Sequence, residues 1–344
     1  MEYNPKFSIT SKILKSIGQI EASKAIIETS PLLPLYERQF IKDALIRSAY
    51  FGTAIEGNKL GLGNVKKIID GKGAEVIGKE RDIKEVINYR KVIDYIENFK
   101  HKTVKEDTIK AINRITTKGL SAESAGGKYR KEQNYFLNFI TQEKIFTPPK
   151  ALEVPKIMRG FITYINSTEA QKLHPVLKSG IIHDGVVSIH AFVDGNGRTA
   201  RACSTLSLYL DGYDIRKFFS LEEYYDRDVL EYYKAIQEGH ADLTRWLEYF
   251  AEGLAVELAR IREKVLKMSR DAKIKGSVGQ IYLSERQEKA VEWLNSYGNL
   301  KNKDFEILFP NISEDTVLRD LKYLIEKKVV IKRGKTKNAR YELR

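Results

Sequence analysis

Apolar side chains recur every three to four positions along most of the chain, and this spacing predicts a mainly α-helical protein. In residues 36–51, for example, Phe40 and Ala44 fall on one face of a helix. Similar patterns predict helices over residues 64–71, 80–99, 107–118, 151–167, 174–189, 198–211, 221–237 and 242–268. Glycine and proline residues separate several of these segments, as expected for turns that join helices.

One segment breaks the helical pattern. Residues 135–140 are mostly aromatic or apolar, and they lie between a glycine pair at 126–127 and a proline pair at 148–149. Because aromatic residues favour strands, we predict a small β-hairpin over residues 135–146 inside an otherwise helical body.

The pattern changes again after residue 265. Residues 266–280 are polar and lose the helical spacing at Gly276 and Gly279, which is typical of a linker. Three short helices and then two strands are predicted beyond it, over residues 284–296, 302–308, 313–326, 329–332 and 339–343. This order of elements is typical of a winged helix-turn-helix domain. The predicted parts are an N-terminal helical region over 1–110, a helical core over 111–265, a linker over 266–280 and the winged helix over 281–344.

The composition narrows the classes of protein. A length of 344 residues, with 42% hydrophobic and 31% charged residues, fits about two globular domains. The net charge of +13 indicates anionic partners, either nucleic acid or phosphate-bearing ligands, unless the excess is spread over a solvated surface. The single cysteine, Cys203, excludes an internal disulfide framework. The N-terminal residues lack a secretory pattern and no apolar run could span a membrane, so we expect a soluble, cytoplasmic protein without a membrane partner.

The clearest chemistry lies in residues 188–201, Ser-Ile-His-Ala-Phe-Val-Asp-Gly-Asn-Gly-Arg-Thr-Ala-Arg. Gly195 and Gly197 allow successive backbone N–H groups to turn toward one anion, and a new helix begins directly after them. Arg198 and Arg201 stand three positions apart, so both guanidinium groups fall on one helix face and can hold phosphate oxygens.

Two further side chains complete a site for polyphosphate chemistry. Asp194 supplies a carboxylate of the kind that Mg²⁺ takes beside substrate phosphates. His190, with an ordinary pKa of about 6.5, is suited to accept a proton from an attacking hydroxyl. The alternative is a glycine-rich turn between two core helices with a capping aspartate, but so many matched features in one short segment favour a site.

Residues 190–201 resemble the signature of Fic-domain proteins, H-P-F-x-[D/E]-G-N-G-R-x-x-R, and depart from it only at Ala191, where proline is usual. The resemblance extends over about residues 30–255. It implies a helical Fic fold with a β-hairpin flap, with 111–265 as the Fic core. It also implies transfer of AMP from ATP to a Tyr, Thr or Ser hydroxyl of a protein, including self-modification.

The same resemblance assigns roles within the motif. It implies a catalytic base, a Mg²⁺ ligand and a set of nucleotide-binding residues, which are respectively His190, Asp194, and Gly195, Asn196, Gly197, Arg198 and Arg201. Among the last set, Asn196 would contact the α-phosphate of ATP and the two arginines would hold the outer phosphates. The hairpin would align a target segment by strand pairing.

A second motif lies near the N-terminus, in residues 52–58, Gly-Thr-Ala-Ile-Glu-Gly-Asn. Taken alone, Glu56 would be a solvated carboxylate at a helix end, with Gly57 as the C-cap. Beside the Fic signature the segment resembles the inhibitory motif [S/T]-x-x-x-E-[G/N], with Gly52 at the Ser/Thr position and Thr53 one place later. The resemblance implies that Glu56 pairs with Arg201 and blocks productive binding of ATP. In some relatives the same glutamate supports removal of AMP, so the reverse activity stays open.

These observations favour a protein adenylyltransferase that Glu56 autoinhibits. One alternative is a DNA-binding regulator whose Fic site only senses ATP. Another is a relative that transfers the γ-phosphate, against which Gly197 argues because such relatives resemble the motif less and carry lysine there. The basic residues in 327–340 fit duplex DNA, while the acidic residues of the 313–326 helix leave a protein contact, including a homodimer, open.

Overall fold

The computed structural model describes residues 3–32, 34–120, 125–137, 144–239, 241–276, 283–334 and 339–344. These residues form fifteen α-helices and five short β-strands. The first twelve helices are α1 (Ser11–Thr29), α2 (Pro34–Ala54), α3 (Leu62–Ile69), α4 (Glu80–Glu97), α5 (Glu106–Thr116), α6 (Val154–Ile165), α7 (Thr168–Lys172), α8 (Pro175–Ile189), α9 (Asn196–Leu210), α10 (Glu222–Arg227), α11 (Val229–Gly239) and α12 (Thr244–Gly276). The remaining elements are β1 (Phe136–Leu137), β2 (Lys144–Phe146), α13 (Glu285–Tyr297), β3 (Leu300–Lys301), α14 (Phe305–Leu308), α15 (Glu314–Glu326), β4 (Val330–Arg333) and β5 (Arg340–Leu343). The prediction of a mainly helical fold is confirmed.

The chain divides into two compact units. The first contains Met1–Glu28 and Phe40–Arg262, and the second contains Thr29–Gln39 and Glu263–Arg344. Within the described ranges, no helix has both the length and the apolar character needed to cross a bilayer.

Helix α8 lies in the core of the first unit, with nearly every side chain buried, as expected of a helix that is apolar on all sides. It begins with Pro175, which suits the first helical position, and the His174 ring accepts a hydrogen bond from the Val176 N–H (3.3 Å). The Ser179 hydroxyl donates to the Ser204 carbonyl of α9 (2.8 Å), so the two helices pack closely. The loop between them, which carries the predicted motif, is therefore fixed at both ends.

The predicted hairpin is present as the antiparallel pair β1 and β2. Phe136 stands opposite Phe146, and Leu137 stands opposite Lys144. Residues 138–143, which include the predicted turn, lie outside the described residues.

The second unit contains a three-stranded antiparallel sheet in the order β3-β5-β4. Leu300 of β3 pairs with Tyr341 of β5, and Val330 of β4 pairs with Leu343 at the other end of β5. Helices α13 and α15 cover this sheet through a buried apolar cluster that includes Val291. The cluster shows why the C-terminal sequence folds as one small body.

The elements differ from the sequence predictions in five places. Residues 221–237 form two helices rather than one, because Asp228 leaves the helical conformation (φ −144°, ψ 81°) and its side chain accepts from the N–H of Glu231. Helix α12 continues to Gly276, well into the predicted linker, because Ile261, Val265 and Ser269 still bury one face. Helix α1, the short helix α7 and strand β3 were not predicted.

Candidate active site

His190 occupies the end of α8 in the left-handed conformation (φ 48°, ψ 53°), which turns the chain sharply into the motif loop. Its ring is half-buried, and its Nδ1 lies 3.2 Å from the Val187 carbonyl oxygen. Burial lowers the pKa of His190 to about 4, an effect that the nearby Arg130 guanidinium reinforces and that the Val187 carbonyl opposes. The ring is therefore neutral at pH 7.

The base of the hairpin is attached to the loop that follows His190. Arg130 Nε donates to the His190 carbonyl (2.9 Å), and the Arg130 N–H donates to the Ala191 carbonyl (2.9 Å). Asn134 Nδ2 donates to the Phe192 carbonyl (3.1 Å). The catalytic loop and the hairpin thus share one hydrogen-bonded frame, and no motif in the sequence pointed to Arg130.

The interior of the loop is shaped by Asn196 and Gly195. Asn196 Oδ1 accepts from the Phe192 N–H (2.9 Å), and its Nδ2 donates to the Phe192 carbonyl (2.8 Å), so the amide closes the loop on itself. Gly195 has φ 75°, and a Cβ there would lie 2.8 Å from Cγ2 of Thr117, directly after α5, and 3.2 Å from Cγ2 of Thr116 at the end of α5. The expected contact of Asn196 with the α-phosphate of ATP stays a prediction.

Asp194 presents a carboxylate at the mouth of the loop, with one third of its side chain exposed (33%). Its Oδ1 accepts from the Gly195 N–H (2.6 Å) and from Arg198 Nη2 (3.3 Å), and its Oδ2 lies 3.5 Å from Arg81 Nη2. The described ranges contain no group of three or more metal-ligating side chains. A lone carboxylate beside an anion cradle fits Mg²⁺, which takes most of its ligands from substrate phosphates and water.

Arg198 and Arg201 extend from the first two turns of α9, and both side chains are buried. Among the described residues, Nε and Nη1 of Arg198 have no hydrogen-bond partner, and Arg201 has the hydroxyl groups of Tyr89 and Tyr232 beside it. A buried N–H group without an acceptor costs roughly 1–3 kcal/mol, so donors of this kind fit an anionic ligand. The helix N-terminus adds partial positive charge at the same place.

Glu56 lies in the turn that follows α2 and reaches Arg201, although the two residues are far apart in the sequence. Arg201 Nη2 donates to Glu56 Oε1 (2.8 Å) and to the Gly52 carbonyl (2.9 Å). Burial would raise the pKa of Glu56, but Arg201, Arg198 and His190 together hold it below its ordinary value. A Cβ at Gly197 would collide with Glu56 Oε1, so this glycine leaves room for the carboxylate.

The departure from the inhibitory motif at Gly52 has a structural counterpart. A Cβ on Gly52 would lie 2.7 Å from the ring of Tyr89 on α4, so an aromatic ring fills the space where the motif has a larger residue. The Thr53 hydroxyl donates to the Ala49 carbonyl of its own helix (2.9 Å).

Helix α4 is a part of the site that sequence reasoning missed. Arg81, Glu85 and Tyr89 follow one another at intervals of four and therefore share one helix face. Glu85 is buried, and its Oε1 lies 3.6 Å from Arg198 Nη1. The regular spacing of polar residues on an amphipathic helix was the only available signal.

Comparison with known proteins agrees with this geometry. Residues 103–208 match the family model described as the Fic/DOC family. A protein adenylyltransferase Fic from Nematostella vectensis is 27% identical over 241 residues, which cover 68% of this chain and 53% of that protein. One from Drosophila ananassae is 30% identical over 210 residues, or 60% of this chain and 40% of that protein. The chain thus spans about half or less of these relatives.

Solved structures support the fold. A Fic family protein from Desulfovibrio desulfuricans G20 has a TM-score of 0.70 at 24% identity, and the match covers 99% of this chain and 98% of that one. Fic-1 from C. elegans has a TM-score of 0.60 at 21% identity, with 74% of each chain covered. The motif loop and both arginines lie within residues 103–208, the segment that matches the Fic/DOC family model, and the solved Fic structures share its fold.

Proposed function

We propose that the protein is an adenylyltransferase that transfers AMP from ATP to a hydroxyl side chain of a protein. The observation that carries this proposal is a neutral, half-buried His190 in the same motif as two buried arginines, which donate hydrogen bonds to carboxylates through Nη2. A base and cationic groups that hold phosphates are what attack of a hydroxyl on a nucleotide requires. The relatives named protein adenylyltransferase Fic support the same reaction.

His190 acts as the general base. The Val187 carbonyl can only accept a hydrogen bond, so Nδ1 carries the ring proton and Nε2 carries the lone pair. Nε2 takes the proton of the target hydroxyl as its oxygen attacks the α-phosphorus, and pyrophosphate leaves. Such proton transfer contributes roughly 10²–10⁴-fold to a rate.

The cradle decides which phosphorus the hydroxyl meets. The N-terminus of α9 and the guanidinium groups of Arg198 and Arg201 hold the outer phosphates, which places the α-phosphate toward His190. Asp194 would hold Mg²⁺, which supplies charge neutralisation of the phosphates when bound. Inverted placement of ATP would expose the γ-phosphate instead, which is the kinase-type alternative.

Glu56 inhibits this reaction in the conformation described here. Its carboxylate accepts a hydrogen bond from Arg201 Nη2, which would otherwise bind the γ-phosphate of ATP. The carboxylate and the γ-phosphate therefore compete for one guanidinium group. Productive ATP binding therefore requires Glu56 to leave. The same position of Glu56 also allows the reverse activity, in which the glutamate supports removal of AMP from a modified protein.

The protein target is a segment that pairs with the hairpin. Tyr135 and Leu137 are exposed there, and Val193 is exposed in the motif loop, so apolar side chains and a strand edge surround the site. An extended peptide added to this edge would bring its hydroxyl toward His190.

We also propose that the C-terminal unit is a winged helix that contacts duplex DNA. The support is the element order, the sheet order β3-β5-β4, and exposed basic residues on α15 and β4, including Arg319, Lys322 and Lys332. A protein contact, including a homodimer, is the alternative. A regulator that only senses ATP is disfavoured, because sensing does not require His190.

The test uses ATP labelled at either the α- or the γ-phosphate, with Mg²⁺ and a cell lysate as the source of targets. We expect α-label on protein, more of it with Glu56→Gly, and roughly 10²–10⁴-fold less when His190→Ala is added to that variant. Transfer of the γ-label alone would establish a kinase. Absence of both labels with folded Glu56→Gly protein would contradict the proposal.

A further inference from the structure

The Asn58 side chain attaches the turn that carries Glu56 to α4. Asn58 Nδ2 donates to Glu85 Oε2 (2.9 Å) and to the Asp82 carbonyl (2.9 Å). Asn58 Oδ1 accepts from the Leu60 N–H (3.0 Å), which holds the side chain in place. Two residues after Glu56, the backbone is therefore fixed to a rigid helix.

Glu85, the acceptor of this hydrogen bond, also faces the phosphate cradle. Its Oε1 accepts from Arg81 Nε (3.2 Å) and lies 3.6 Å from Arg198 Nη1. A buried carboxylate is stable only with such partners, so Glu85 has little freedom to move. One carboxylate thus connects the turn of Glu56 to the helix that binds phosphate.

Tyr89, one helical turn further along α4, restricts the same segment on its other side. Its ring fills the space beside Gly52, where a Cβ would lie 2.7 Å away, and its hydroxyl donates to Glu222 Oε1 (2.6 Å). The segment from Gly52 to Asn58 is therefore bracketed by two α4 residues, with Glu56 between the two contacts.

We propose that Asn58 and Glu85 are positioning residues whose hydrogen bond keeps Glu56 within reach of Arg201 and so maintains inhibition. The inference rests on the proposed function, since it concerns the regulation of that site. When the bond is absent, the turn moves, Glu56 leaves Arg201 for part of the time, and Arg201 becomes available to ATP.

The first test measures transfer of α-label by Asn58→Ala and Asn58→Asp, each with Glu56 present and in the Glu56→Gly background. Asn58→Asp keeps the acceptor for the Leu60 N–H, removes the donor to Glu85 and to the Asp82 carbonyl, and places a second carboxylate beside Glu85. With Glu56 present, both variants should raise the initial rate about 10-fold, the effect expected for one hydrogen bond to a charged group. In the Glu56→Gly background, both should leave the rate unchanged.

Lys84→Ala is the matched control, because Lys84 also lies on α4 but pairs with Glu80 on the surface (2.7 Å). Lys84→Ala should leave the initial rate of α-label transfer unchanged, both with Glu56 present and in the Glu56→Gly background. Equal rates for Asn58 variants and the unmodified protein would overturn the proposal. An equal change in both backgrounds would also overturn it, since Asn58 would then act without Glu56.

A second readout needs no activity, namely hydrogen exchange at the amides of Gly57 and Asn58. These amides donate to the Ala54 carbonyl (2.8 Å) and the Thr53 carbonyl (3.2 Å), so exchange reports on opening of the turn. Exchange should be about 10-fold faster in Asn58→Asp, with unchanged rates in α5. If Glu56→Gly transfers no label, the proposed function fails, yet faster exchange would still support the positioning role and unchanged exchange would overturn it.

Discussion

The pKa and the backbone conformation of His190 both follow from its immediate surroundings. Burial and Arg130 disfavour the imidazolium, while the carboxylates of Glu56 and Asp194 favour it, and the balance places its pKa at about 4. The left-handed backbone of His190 turns the chain into the loop, while its Nδ1 stays 3.2 Å from the Val187 carbonyl oxygen of α8.

The protonation state of His190 is directly measurable. We expect a ¹⁵N-histidine NMR titration of the free protein to show His190 neutral, with Nδ1 protonated, from pH 8 down to about pH 4. Glu56→Gln should move the midpoint to lower pH, because the lost negative charge had stabilised the imidazolium. Absence of the signal in His190→Ala assigns it, and a midpoint near the ordinary value of about 6.5 would contradict the burial argument.

Single residues of the site were predictable to an unequal degree. His190, Asp194 and the two arginines lie within one short segment, so their roles could be predicted without knowledge of the fold. Glu56 was identified through a second local motif. Glu85 and Arg130 were not, because each acts through a partner that only tertiary packing brings near, and an isolated Glu or Arg on a helix or loop has no distinguishing pattern.

Two glycines in the left-handed conformation flank helix α9, Gly195 directly before it and Gly212 two residues after it, and they make a matched pair for substitution. Gly195 at its start has φ 75° and would place a Cβ 2.8 Å from Thr117 Cγ2, whereas Gly212 at its end has φ 77° and open space around it. Both substitutions by alanine strain the backbone, but only the first also forces α5 away from the loop.

Gly195→Ala should therefore lower the free energy of unfolding by about 3 kcal/mol, and Gly212→Ala by only about 1 kcal/mol, in urea denaturation. Transfer of AMP, measured with Glu56→Gly present in both, should fall about 100-fold for Gly195→Ala, because the loop that aligns the reactants is displaced. Gly212→Ala should retain its rate. Equal losses in the two variants would show that the strained backbone alone matters.

The elements that the sequence missed have a common physical origin. Helix α1 buries Ile13, Ile20 and Ile27, but serines fill the alternate buried positions, so the apolar spacing is too sparse to recognise. Strand β3 has two residues, which is too short for alternation, and only its pairing with β5 defines it. Long helices with full apolar faces, such as α8 and α9, were predicted closely.

At the scale of the whole molecule, the second unit is built from two stretches of chain that lie far apart in the sequence. Residues Thr29–Gln39 belong to the C-terminal unit, where Leu35 joins the buried apolar cluster. No local pattern announces such a distant contact. The predicted boundary at residue 110, within the first unit, stays a prediction.

The net charge of +13 predicts anionic partners, and the second unit carries exposed basic residues on helix α15 and strand β4 that could contact them. Arg333 and Arg340 lie within 3.4 Å and 2.8 Å of Glu342, so their charge is partly neutralised, whereas Lys322 and Lys332 are exposed. We therefore expect these two lysines to make the phosphate contacts of a bound duplex.

Fluorescence anisotropy with a labelled DNA duplex, measured between 50 and 200 mM KCl, separates DNA binding from a protein contact. Each phosphate contact releases counterions, so log K should fall linearly with log salt, and Lys322→Ala or Lys332→Ala should each reduce the slope by about 1. Lys12→Ala removes the same charge from a surface pair with Glu252 in the first unit and should leave the slope unchanged. Equal slopes for all three variants would mean that the attraction is diffuse. Absence of binding at the lowest salt would assign this surface to a protein partner, and sedimentation would then show whether that partner is a second copy of the chain.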